Sequence, residues 1–370
     1  MKTNVLRNMA LLILVIITGS CLDYTVTTVV NRNGSVYRQY EVRGDSSEVF
    51  NGSLKVPSGK EWKVIHGLTH KDKDDTTSEK SQYMYMASRT FKNAEELNNW
   101  MKDDTVAGRI KPLVNVEKHF RWFFTYFHYS ETYPMTWPFK NIPVDSFMTD
   151  MEQSVAIDDG RAVYSPQAKT MVWKEDGIFA LTPADSVSMK AISETCDEKM
   201  QRWMVASMAQ SYIQLVDSVF GSEPVVKQLK GKSTQFTEVI MHKFEHLFDD
   251  SISAFTLTIL ADSLTGSEKL QELYRLQPAV FKVFDGLLEE TGAIFSDDSY
   301  DHTLSLPGKV FATNARETTT KGLIWTMDSN YFLMKPYVLE ASSRIANPWI
   351  MALTGLLAIA LVVVLIRRRR

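Results

Sequence analysis

Residues 24–42, YTVTTVVNRNGSVYRQYEV, decide how the chain begins to fold. Tyr24, Val26, Thr28 and Val30 alternate with threonines and Val29, the period of two that marks a half-buried strand. Asn31-Arg32-Asn33-Gly34 supplies a turn, and Val36, Arg38, Tyr40 and Val42 return with the same alternation. The chain opens as a β-hairpin.

Ahead of the hairpin, Lys2 and Arg7 precede a nine-residue apolar run, Met9 to Ile17. That run is too short to span a bilayer and suits a secretory signal. Thr18-Gly19-Ser20-Cys21 resembles the lipobox of bacterial lipoproteins, with Thr18 where the usual pattern has leucine. The resemblance implies a diacylglycerol on Cys21; ordinary signal cleavage after a small-x-small site fits the same residues. Cys196 is the only other cysteine, so acylation would leave one lone thiol, the alternative being a disulfide between the two.

At the far end, Ile350 to Ile366 is seventeen residues without a charge, preceded by Trp349 and followed by Arg367 to Arg370. As a helix it covers roughly 26 Å against a hydrocarbon core of ~30 Å, and the arginines can snorkel. The positive-inside rule puts the arginines in the cytoplasm and the body outside it, on the periplasmic face of a bacterial inner membrane. Six of the 41 basic residues lie in these two ends and none of the 44 acidic ones, which leaves the body at about −9. So acidic a body does not suit nucleic acid, nor general attraction to anionic headgroups. Between the anchors, His70 to Lys80 is charged and lacks apolar residues, a disordered composition.

Further strands are expected at Tyr83 to Phe91, at the aromatic run Phe120 to Tyr129, and late in the chain around Tyr300 to Leu306, Val310 to Thr313, Leu323 to Met327 and Tyr337 to Ala341. Asn93 caps a short helix from Ala94 to Met101. A capping box at Thr195-Cys196-Asp197-Glu198 starts a long helix to Gly221. A second runs from Thr234 to Leu247 and on toward Leu264, a third starts at Ser267, and a last follows Pro278. The fold class is α+β: N- and C-terminal strands share a sheet, with a helical insertion and one transmembrane helix. The divisions read as a signal (1–20), a β-rich part (21–194), the insertion (195–292), closing strands (293–345), a span (349–366) and a basic tail (367–370). If both anchors enter one membrane, Tyr24 and Ala341 must lie at one edge of the domain.

Cys21 with the hairpin, Leu306-Pro307-Gly308-Lys309-Val310, Thr313-Asn314-Ala315, Leu323-Ile324-Trp325 and the basic-ended span together resemble the LppM-type exported lipoproteins. The resemblance covers about a third of the chain and includes no catalytic motif. It implies at most a lipid-binding role at the envelope.

His242-Lys243-Phe244-Glu245-His246 has the spacing of an inverted zinc-peptidase motif, histidines as ligands and Glu245 as base. Helical phasing turns His242 and His246 away from the apolar stripe, so a solvated face is expected and no metal. Gly44-Asp45-Ser46 lacks the downstream D-x-x-H that an SGNH-type esterase needs. The better lead is aromatic: Trp122, Phe124, Tyr126, Tyr129, Tyr133 and Trp137 could line a groove for an acyl chain or stack on a glycan. The expected function is non-enzymatic, without cofactor: binding of a lipid or hydrophobic ligand, or of a membrane-protein partner. An assembly scaffold acting through the helical block and a zinc peptidase are the alternatives.

Overall fold

The computed structural model describes residues 22–44, 49–50, 54–69, 82–103, 109–158, 160–173, 182–243, 252–294 and 299–369. The expected lipidation site Cys21, the polar stretch 70–80, and Glu245 and His246 lie outside these residues. The chain is α+β and divides into two units: residues 1–134, 296–328 and 336–370, and residues 135–295 with 329–335. The second unit starts well before the expected boundary at 195.

The first unit holds two sheets. In the larger, β1 (Asp23–Val30) and β2 (Val36–Gly44) form the opening hairpin, followed by β3 (Lys63–Thr69) and β4 (Gln82–Phe91). β9 (Ser299–Ser305), β11 (Glu317–Thr319) and β12 (Gly322–Asp328) complete it in the order β11-β12-β9-β1-β2-β4-β3. β1 and β9 pair in parallel, so the two ends of the chain do share one sheet. The smaller sheet contains β5 (Leu113–Arg121), β6 (Phe124–Tyr133), β10 (Lys309–Thr313) and β13 (Tyr337–Ala346), ordered β10-β13-β6-β5. Gly308, at φ +87°, makes the turn into β10; a Cβ there would collide with the Arg344 carbonyl oxygen. The helix α1 (Ala94–Lys102) follows the Asn93 cap, and its Asn98 side chain exchanges two hydrogen bonds with the Val114 backbone on the edge strand β5.

Two expectations are corrected here. Residues 120–129 are not one strand: Trp122 and Phe123 are the two-residue turn between β5 and β6. β6 then alternates strictly, with Thr125, Phe127, Tyr129, Glu131 and Tyr133 buried and the residues between them half-buried. The second concerns entry and exit. Lys118, opposite Phe127, bonds the Arg32 carbonyl, whereas His302, opposite Val26, approaches the Tyr133 hydroxyl. β1 therefore begins toward the Tyr133 end of β6, while β13 runs on past Ala341 to Ala346, opposite Phe124. The chain enters this unit at one end and leaves it at the other.

The second unit packs α2 (Asp150–Ala156), the hairpin β7 (Ala162–Ser165) with β8 (Thr170–Trp173), and six longer-range helices: α3 (Pro183–Phe220), α4 (Pro224–Gly231), α5 (Ser233–Lys243), α6 (Ala254–Thr265), α7 (Lys269–Leu276) and α8 (Pro278–Ile294). Its core is apolar and built on α3, with Trp203, Met204, Met208, Tyr212 and Val216 at helical spacing. The capping box expected at Thr195 lies inside α3, where the Thr195 hydroxyl bonds back to the Ala191 carbonyl. The true box is Thr182 with Asp185, followed by Pro183. The first turns of α3 are mostly exposed and carry no apolar stripe, which is why periodicity begins only later. Ser253 caps α6 as a new helix, so the stretch toward Leu264 is not a continuation of α5.

α9 (Pro348–Arg369) is long and apolar enough to cross a membrane, and nearly all of it is exposed. Asn347 precedes it and accepts hydrogen bonds from the backbone N–H groups of Ile350 and Met351.

Candidate functional site

The six aromatic residues proposed to line a groove are not gathered at one place. Trp122 stands at the β5–β6 turn, and Phe124 and Tyr126 are half-buried on the outer face of the small sheet. Tyr129 and Tyr133 are buried on its inner face, and Trp137 belongs to the helical core, donating to Ser207 Oγ at 2.8 Å. His242 is exposed near the end of α5, and no group of three metal-ligating side chains occurs among the described residues. Asp301 is exposed while its neighbour His302 is buried, so adjacent residues on opposite strand faces form no dyad.

Sequence reading missed a buried polar cluster in the sheet unit. Arg38 on β2 donates from both terminal nitrogens to Glu131 on β6, at 2.8 and 2.6 Å, and from Nη1 to Thr28 Oγ1 at 2.6 Å. Tyr129 donates to the same carboxylate, and His302 Nε2 lies 3.1 Å from Thr28 Oγ1. Arg38, Glu131, Thr28 and His302 are each fully buried. Burial alone would push the Glu131 carboxyl up. The Arg38 charge, the neighbouring His302 and the bonds from Arg38 and Tyr129 outweigh it and hold the carboxyl at about 2. Burial dominates at His302 and lowers it to about 4 despite the nearby carboxylate, so its ring is neutral at pH 7. A narrow gap lined by Tyr40, Leu54 and Trp100 touches Arg38, while Glu131 and His302 have no exposed surface. A ligand cannot reach groups so enclosed, and the cluster joins strands.

The helical unit holds an open cleft of about 380 Å³, made by α2, β8 and α3. Met151, Val155, Met171 and Ile192 supply apolar walls, and Thr149, Thr170 and Thr195 supply hydroxyls. The volume lies within the range of small-ligand pockets, and the lining has their character, mostly apolar with a few polar groups. Glu152 closes one side. It accepts from Thr149 N at 2.7 Å, in the capping box of α2, and from Lys199 Nζ. Those bonds, the one from Lys199 foremost, hold its carboxyl below the usual range. Cys196 forms part of the floor; burial, then the Glu152 charge, raise its thiol. A raised thiol is a poor nucleophile, and a carboxylate committed to a cap and an ion pair is a poor general base.

No family model matches the chain, and no curated protein or solved structure matches it either. The likeness to LppM-type lipoproteins thus rests on the quoted residues alone. The cleft was not legible in the sequence, because Met151, Met171 and Ile192 come from three elements and none stands in a motif.

Proposed function

We propose that this protein is a membrane-anchored, non-enzymatic envelope protein that binds a small hydrophobic ligand in the cleft of its helical unit. α9 is the anchor, its arginines on the cytoplasmic side and both units on the other. The observation that carries the reading is the cleft itself, with its thioether and aliphatic walls, threonine hydroxyls and one ion-paired carboxylate. Such a lining suits an apolar body with a polar end, such as a lipid or an isoprenoid.

Native mass spectrometry of the full chain, released from membranes in nanodiscs, tests it. The wild type should carry a lipid-sized adduct that Ala191→Trp, which fills the cleft mouth, loses. Identical adducts on both would rule the cleft out as the ligand site. A second reading, docking of another protein on the helical unit, has in its favour the exposure of Leu276 and Val283. It predicts a protein adduct that Ala191→Trp leaves in place.

A further inference from the structure

At one end of the sheet unit, three large apolar side chains stand uncovered, Phe120, Trp122 and Phe123, exposed by 57, 55 and 41%. Phe311, exposed by 50%, lies farther up the same smaller sheet, against the Tyr126 ring. Two-residue hairpin turns favour Asn-Gly or Asp-Gly, which accept positive φ and face water. Here the turn is Trp122-Phe123, and Trp122 takes φ +24°. Two bulky apolar residues at a turn that prefers small polar ones call for an apolar neighbour.

The turn is joined to α9. Trp122 Nε1 donates to Thr354 Oγ1 at 3.1 Å, and Thr354 is the seventh residue of that helix, about 9 Å along it from Pro348. The backbone of the turn is already paired. Asn347 Nδ2 donates to the Trp122 carbonyl at 3.0 Å and Asn347 N to the Phe123 carbonyl at 2.8 Å, while Thr125 donates to Asn347 Oδ1 at 3.0 Å. Open carbonyls would be costly away from water, and these two are closed. Behind the aromatic tip lies a layer of cations on the outer sheet face. Arg344 sits over the Phe124 ring at 4.9 Å and Arg121 over the Tyr126 ring at 6.0 Å, and Lys309 is paired with Arg344 across the strands. All three are exposed, with no carboxylate partner among the described residues. Aromatic rings ahead of cations, beside the first turns of an apolar helix, is the order of groups at a membrane interface.

We propose that this end of the sheet unit docks on the phospholipid bilayer: Trp122 and Phe123 enter the interface beside α9, and Arg121, Arg344 and Lys309 meet lipid phosphates. The inference rests on α9 crossing the membrane. It goes beyond a tether, because the domain then stands in a fixed orientation, its Asn347 end down and the start of β1 away from the lipid.

Spin labels on the full chain in nanodiscs of phosphatidylcholine and phosphatidylglycerol test both layers of the argument. The background is Cys21→Ser, in which Cys196 is buried. Labels go at Phe123→Cys, at Phe311→Cys, at Leu361→Cys in α9 and at Leu68→Cys on the exposed edge strand β3. Leu361→Cys should collide with oxygen and exclude a soluble nickel chelate, and Leu68→Cys should do the reverse. Phe123→Cys should lose most of its nickel collisions, and Phe311→Cys fewer. Phe123→Cys matching Leu68→Cys while Leu361→Cys is deep overturns docking and leaves the span intact. Nickel access at Leu361→Cys overturns both. Exclusion of oxygen as well as nickel at Phe123→Cys means that protein covers the tip, and also overturns the proposal. A label at Phe120→Cys, beside the same turn, decides the same question should Phe123→Cys fail to fold.

Discussion

The two units bury polar groups for different ends. In the sheet unit Arg38, Glu131, Thr28 and His302 bond side chain to side chain, across separations of up to 274 residues. In the helical unit the buried polar groups bond mostly to nearby main chain, although Ser207 also accepts from the Trp137 indole and Thr258 pairs with the Tyr212 hydroxyl. Asp262 accepts from the Leu270 and Gln271 N–H groups at the start of α7, Thr258 bonds the Ala254 carbonyl, and Ser207 bonds that of Met204. The difference follows from the elements. A helix satisfies its own backbone except at its ends, so its interior needs partners only at termini. A sheet satisfies its backbone sideways, and an apolar face laid on another sheet has little to fix its alignment. A buried ion pair from one sheet to the other has one good geometry. We predict that it sets register at a cost in stability.

The largest expected effect tests that pair. Glu131→Leu leaves Arg38 buried without its counter-charge and should cost about 3–5 kcal/mol, read from hydrogen exchange of β2 and β6 amides. Arg38→Met with Glu131→Leu should recover most of the loss; a double variant as unstable as the single one would show that the pair itself is strongly stabilising.

Next in size is the pH response of the same cluster. His302 titrates at about 4 in the fold against 6.5 ordinarily, so between these values the unfolded chain binds the extra proton. Stability should therefore fall as pH drops from 6.5 to 4, by about 3 kcal/mol at most, and be untouched by His302 above that window. Glu131 works lower: its contribution is present above the ordinary carboxylate range and is lost as pH falls toward about 2. The slope should appear in β1 and β9 and disappear in His302→Asn. A slope of the same size in the apolar core of α3 would erase the contrast between the units.

The smallest effect belongs to the helical unit. Asp262→Ala removes the acceptor of two N–H groups at the start of α7 and should cost about 2 kcal/mol. The loss should be confined to amides of α6 and α7, because the bonds are local. Spread into the sheet unit would mean that the two units unfold together.

Part of this contrast was written in the residues. Arg38 occupies an inward position of the Val36-Arg38-Tyr40-Val42 alternation, and Glu131 does the same among Phe127, Tyr129 and Tyr133. A charge at an apolar position of a strand signals a buried partner of opposite sign, and two such signals occur here. The Trp122-Phe123 turn misled because aromatic residues favour strands and no Gly, Asn or Asp marks the reversal. The exposed start of α3 had no apolar stripe to announce it.

By itself the sequence determined what each segment could be: alternating strands, helices with one apolar face, and a charge-free run long enough to span a membrane. Those are local properties, set by where neighbouring side chains point along a strand or a helix. Only the tertiary structure decided which segments meet. It placed β1 beside β9, Arg38 against Glu131, Met151 and Met171 across one cleft from Ile192, and Trp122 against Thr354. Each of these contacts joins residues too far apart in the chain for periodicity to relate them, so each depends on packing the whole unit at once.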